Sequence, residues 1–110
     1  MEESNISRWQ DKFPGEPSVV FLRSWFVPSG DYRISESSFP AGAKFPGSMR
    51  GGIIFIIDGS CNYDFGNINF HLSKGDFVEV PGGGYRFSVE GDRSVRLVRV
   101  YKLPQEFRRK

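Results

Sequence analysis

The sequence is poor in the side chains that most catalytic and metal sites require. Its 110 residues include one cysteine, Cys61, and one histidine, His71. A single cysteine excludes an intrachain disulfide framework and suits a reducing, cytoplasmic setting. One Cys and one His cannot build a Cys/His zinc site, and a multi-histidine iron or manganese site is equally out of reach. A Ser-His-Asp triad would depend on His71 alone. No apolar run approaches the ~18 residues of a membrane-spanning helix, and the acidic start Met1-Glu2-Glu3-Ser4 is unlike a signal peptide. Net charge is also scarce, with 15 basic residues against 13 acidic. Three of the basic residues are the terminal Arg108, Arg109 and Lys110. A clustered basic face is therefore missing, and neither nucleic acid nor a membrane is expected as a partner. Helical periodicity is poor too. Only Glu3–Lys12 suits a short helix, which Pro14 would end.

Turn residues and β-formers are plentiful by contrast. The 13 Gly and 7 Pro are spread as punctuation between short segments rich in Phe, Val, Ile and Tyr. Strands are expected at Ser18–Trp25, Tyr32–Phe39, Gly52–Ile57, Ser60–Phe65, Ile68–Leu72, Phe77–Val80, Tyr85–Val89 and Ser94–Lys102. Gly66-Asn67 reads as a tight hairpin turn. Asp58-Gly59, Lys74-Gly75-Asp76, Pro81-Gly82-Gly83-Gly84 and Gly91-Asp92 are further turns. Short strands at this spacing predict an all-β fold, a small antiparallel β-barrel or jelly roll with at most one short N-terminal helix. The whole chain is expected to form one such domain, with residues 1–17 as an N-terminal arm and 104–110 as a basic tail. Alternation sets Ile68, Phe70 and Leu72 on one face and Asn69, His71 and Ser73 on the other. His71 is thus expected to point to solvent, which removes the one obvious general base.

The stretch from Phe39 to Val89 resembles a cupin. Phe39-Pro40-Ala41-Gly42-Ala43, a loop, and Gly52-Ile53-Ile54-Phe55-Ile56-Ile57-Asp58-Gly59 are similar to that family's first motif. Leu72-Ser73-Lys74-Gly75-Asp76 through Pro81-Gly82-Gly83 is similar to its second, and the Gly66-Asn67 hairpin falls between them. The resemblance implies a double-stranded β-helix. In the family the motifs supply three histidines and a glutamate to one divalent metal. Carried over by spacing from Gly59, Gly75 and Pro81, these positions fall at Pro46, Ser48, Gly52 and Arg86, with Glu90 in a later asparagine position. None of the four metal positions keeps a metal-binding side chain, so no metal and no cofactor is expected.

If the former ligand positions face inward, residues two apart from them do as well. Ser48, Arg50, Gly52, Ile54 and Ile56 would then line one inner strand, and Gly84, Arg86 and Ser88 another. Phe55, Ile57, Tyr85, Phe87 and Val89 would lie outside. The first functional reading is a metal-free ligand-binding domain that holds a small anionic or polar molecule, a carboxylate, phosphate or sugar derivative. Arg50 and Arg86 would anchor its charge. Ser48 and Ser88, with Glu79 or Tyr32, would orient it, and Ile54 and Ile56 would supply apolar contact. A second reading is a protein-interaction or dimerisation module, such as a scaffold, inhibitor or immunity-type partner. The aromatic surplus of Trp9, Phe13, Phe21, Trp25, Phe26, Phe45 and Phe107 suits it, and cupins commonly pair as homodimers. A third is a metal-independent isomerase, epimerase or lyase in which Tyr32, Tyr63 or Tyr101 works with Glu79 or Glu36.

Overall fold

The computed structural model describes residues 6–26, 28 and 30–102. The calls on Glu3, Phe107 and the basic tail fall outside the described residues. Two antiparallel sheets face each other. The first sheet has the order β1-β7-β4-β9-β2, and the second β3-β8-β5-β6. The strands are β1 (Ser7–Arg8), β2 (Tyr32–Phe39), β3 (Lys44–Met49), β4 (Gly52–Asp58), β5 (Ser60–Asp64), β6 (Asn69–Ser73), β7 (Asp76–Val80), β8 (Gly83–Val89) and β9 (Val95–Lys102). This is the antiparallel jelly roll that the spacing of strands and turns predicts. The four turns between β4 and β8 fall where the Gly-containing pairs place them. Gly59 shows why one of those turns needs glycine: its φ is +84°, and an added Cβ would press on the Ser94 carbonyl.

Hydrophobic alternation divides the apolar residues into two cores. The inner core lies between the sheets and includes Ile54, Ile56, Val78 and Leu97 from the first sheet. Met49, Cys61, Tyr63, Phe70, Leu72, Tyr85, Phe87 and Val89 meet them from the second. The outer core covers the far side of the first sheet, where Phe55, Ile57, Val98 and Val100 pack under Trp9 and Leu22. An antiparallel sheet that is apolar on both faces needs a second cover, and the N-terminal segment supplies it.

That need explains two corrections. Ser18–Trp25 is not a strand; Val19–Phe26 forms a helix, α1. The Ser18 hydroxyl accepts from the Phe21 N–H at 3.1 Å, and the Ser18 carbonyl accepts from the Leu22 N–H. This is a serine N-cap. Val19, Leu22 and Phe26 share the helix face that lands on the outer core. β-Branched and aromatic composition favours a strand locally, but covering a bare sheet face decides the outcome. Residues 6–12 hold no α-helix: Ser7–Arg8 adds an edge strand to β7, and only Trp9–Asp11 is helical, as a single 3₁₀ turn. A third correction concerns residues 44–49. They form a strand rather than a loop, an edge position that tolerates Pro46.

Candidate functional site

The inner faces follow from register, since residues directly opposite in an antiparallel pair share a face. Ile54 lies opposite Arg99 on β9, and Arg99 lies opposite Ser35 on β2. The neighbouring row runs Val80, Gly52, Tyr101, Arg33, and the next places Leu97 opposite Ser37. In the second sheet Phe45 faces Phe87, Phe87 faces Tyr63, and Tyr63 faces Phe70. Gly47 lies opposite Tyr85.

The expected facing of β8 is therefore inverted. Tyr85, Phe87 and Val89 are buried in the inner core, whereas Arg86 is exposed on the outer face and Ser88 lies beside it. The alternation holds and its phase does not. Counting from Pro81 set the phase, but burying three large apolar side chains outweighs a motif spacing by several kcal/mol, at roughly 1.5–3 kcal/mol each. Ser48 and Arg50 are exposed too, with Met49 turned inward between them. Glu79 is exposed on the outer face of the first sheet, and Tyr32 packs there against Phe26 with ring centroids 5.0 Å apart. Of the eight proposed ligand contacts, only Ile54 and Ile56 lie in the inner core. Arg86 and Ser88 instead share an outer groove of about 340 Å³ with Lys44, Pro46, Asn62 and Asp64.

The inner face holds a different arginine. Arg99 donates from Nη2 to the Ser37 hydroxyl at 3.1 Å, while its Nε is buried with no hydrogen-bond partner. Among the described residues it makes no ion pair, although Arg8, Arg93 and Arg96 each meet a carboxylate. Tyr63, across from it on the second sheet, is 1% exposed. Burial pushes the Tyr63 phenol well above its ordinary range, the Arg99 charge pulls the other way, and Tyr85 and Tyr101 push it up again. Tyr63 meets Tyr85 edge to face at 5.0 Å, and the Tyr85 ring lies over Gly47, where an added Cβ would sit 2.7 Å from its Oη. Arg33, exposed at the rim, stands one row out on the same face. The interior therefore presents a guanidinium without a counter-charge among the described residues, beside tyrosine rings and aliphatic walls.

Signals for this cluster exist in the sequence. Alternation along Val95, Leu97, Arg99 and Tyr101 puts Arg99 on the same face as Leu97. The resemblance ends at Val89, before β9, so its motifs do not point to Arg99.

The metal positions of the resemblance do not fit a metal. Pro46, Ser48 and Arg86 face outward. Gly52 is inward-facing, but an added Cβ there would sit 2.5 Å from the Val100 carbonyl oxygen, leaving no room for a glutamate. Among the described residues no three His, Cys, Asp or Glu side chains are grouped to hold a cation. His71 is exposed and pairs with Glu90 at 3.4 Å. Of the candidate tyrosine–glutamate pairs, Tyr63 and Tyr101 lie on the inner side, away from Glu36 and Glu79, while Tyr32 shares the outer face with both glutamates, where Glu36 binds Arg96 at 3.0 Å. No helix is long and apolar enough to cross a membrane, among the described residues.

Cys61 is fully buried, and burial with a contribution from Glu90 pushes its thiol up to about 12. Both Cys61 and Tyr63 have folded-state values raised above 9.0 and 10.0, so each favours the neutral form in the native state. Their contribution is complete below those ordinary values and is lost as pH rises through the folded ones. Urea unfolding should show stability falling from about pH 9 upward. A thiol reagent should label Cys61 only after unfolding. Rapid labelling of the native protein would contradict this placement.

No protein-family profile matches the sequence, and no curated protein matches it. Solved structures do. The Schizosaccharomyces pombe Cnp3 cupin domain aligns at 20% identity and TM-score 0.59, over 69% of this chain and 55% of that one. The DMSP lyase DddQ from Ruegeria pomeroyi DSS-3 aligns at 23% identity and TM-score 0.59, over 71% and 41%. A cupin protein from Bacteroides fragilis aligns at 22% identity and TM-score 0.56, over 68% and 69%. The chain thus spans about half of the first of these and less than half of the second. Two sheets, their motifs and these neighbours lead to one conclusion: the domain has the cupin fold.

Proposed function

We propose that this domain is a metal-free binding module that holds a small oxyanion in the cupin barrel, with Arg99 as the anchor. The observation that carries the reading is the half-buried guanidinium with an unpartnered Nε and no carboxylate partner among the described residues. Burying a charge without compensation costs several kcal/mol, and a planar five-donor group is suited to carboxylate or phosphate. A bound oxyanion would accept from Nε and the remaining Nη. Tyr63, held neutral by burial, and Tyr85 would donate from the opposite sheet. Arg33 at the rim would attract the anion and guide it inward. Ile54 and Ile56 would contact its apolar part. The reading keeps the small-anion ligand expected from sequence and moves its anchor from Arg50 and Arg86 to Arg99.

The test is a thermal-shift series of acetate, succinate, inorganic phosphate and sulfate, with chloride matching ionic strength. A ligand at 100 times its dissociation constant adds ~2.7 kcal/mol, which shifts the melting temperature of a domain this size by many degrees. Equal responses to all anions and to chloride would sink the reading.

A second reading, a protein-interaction module, rests on α1, where Val20 is 78% and Trp25 59% exposed. Trp25 stacks on Phe21 at 5.8 Å and meets Phe13 at 5.5 Å, so it is held as a rigid aromatic anchor. The two readings concern opposite faces of the first sheet, and the uncompensated charge supports the first more directly.

A further inference from the structure

The two sheets differ in what lies on their outer faces. Trp9 and α1 cover the first, whereas on the second Lys44, Pro46, Arg86 and His71 stand exposed. Register orders this second face into rows. Lys44 lies opposite Ser88, and Ser88 opposite Asn62. In the next row Pro46 lies opposite Arg86, and Arg86 opposite Asp64. These six residues line the outer groove of about 340 Å³. Directly opposed residues on one sheet face have Cβ atoms about 5 Å apart, and diagonal ones roughly 7–8 Å. Lys44 and Arg86 stand on such a diagonal, close enough for both to reach one anion.

Beyond the groove, polar side chains of this face already have partners. The Ser60 hydroxyl donates to that of Ser73 at 3.1 Å, and His71 meets Glu90 at 3.4 Å. Within the groove, Lys44, Asn62, Arg86 and Ser88 have no side-chain partner among the described residues. Asp64 makes no ion pair with Arg86 opposite it. Its Oδ1 accepts instead from the Gly66 N–H at 2.8 Å, which ties the carboxylate to the hairpin and leaves Oδ2 available. The groove therefore gathers an ammonium, a guanidinium, an amide, a hydroxyl and one carboxylate around the ring of Pro46.

We propose that this groove is a second binding site, for a sugar that carries one anionic group, a carboxylate or a phosphate. Lys44 and Arg86 hold the anion. Asp64 accepts from ring hydroxyls, while Asn62 and Ser88 both donate and accept. The apolar C–H face of the sugar rests on Pro46. A bare oxyanion would meet Asp64 as a like charge and leave Asn62 unused, and a neutral sugar would forgo both cations. The groove opens away from the barrel, so the proposal does not rest on Arg99.

The test is an amide NMR titration of isotope-labelled protein with glucuronate, glucose 6-phosphate, glucose and acetate. The expected result is a saturable response to glucuronate or glucose 6-phosphate at Lys44, Asn62, Arg86 and Ser88. The tighter of the two identifies the anion, and glucose and acetate should bind at least about tenfold more weakly. Arg86→Ala and Lys44→Gln, both at exposed positions outside the two cores, should each weaken binding at least about tenfold and leave the melting temperature unchanged. No saturable response to either acidic sugar would overturn the proposal. So would a response confined to Ser37 and Arg99 on the barrel side, or an Arg86→Ala protein that binds as tightly as the parent.

Discussion

Gly52→Glu is expected to lower stability by more than about 3 kcal/mol, enough to leave much of the protein unfolded. The substitution restores the side chain that the metal-binding motif would place at this position. Two costs act together. The new Cβ meets the Val100 carbonyl oxygen at 2.5 Å, and that oxygen belongs to the β9 backbone, which cannot yield without breaking the β4–β9 ladder. The carboxylate would also enter an interior lined by Val80, Tyr101 and Ile54. Arg99 is one row away and could recover part of that charge cost, but not the steric one. Urea denaturation of Gly52→Ala and Gly52→Glu separates the terms, with the alanine variant isolating the clash. A Gly52→Glu protein as stable as the parent would show that β4 and β9 are not this close.

Phe87→Ala is expected to cost about 3–5 kcal/mol, the range for truncating a buried phenylalanine. Phe87 is 1% exposed, with Phe39, Phe45 and Tyr63 ring centroids all within 5.1 Å. No neighbour can close the space without leaving its own rotamer. Arg86→Ala, one residue away on the opposite face, should change stability by less than about 0.5 kcal/mol. The pair of measurements tests the phase of β8. If Arg86→Ala were the damaging change, the motif-derived facing would be right and the inner core wrongly placed.

The sequence carried most of the fold because two signals agree over most of the chain. Glycine-containing turns bound the strands, and alternation within β4 and β6 names the buried faces correctly. Where the signals conflict, the outcome depends on partners far away in the chain. α1 is a helix because Phe55, Ile57, Val98 and Val100 need a cover, a requirement that Val19–Phe26 alone cannot display. β3 survives Pro46 because it is an edge strand, which only the sheet order reveals. The facing of the arginines follows the same logic. Spacing from Pro81 points Arg86 inward, but the burial of Tyr85, Phe87 and Val89 sets the opposite phase, and the inward guanidinium comes from β9.

If Arg99 anchors an anion as proposed, it serves the ligand and not the fold. Arg99→Met removes the charge and keeps a flexible apolar side chain of similar reach. Its melting temperature without ligand should be unchanged or higher, because a half-buried charge with no partner is costly to keep. Its response to the anion that stabilises the parent should disappear. A variant that melts many degrees lower without ligand, or that still responds to the anion, would contradict the account.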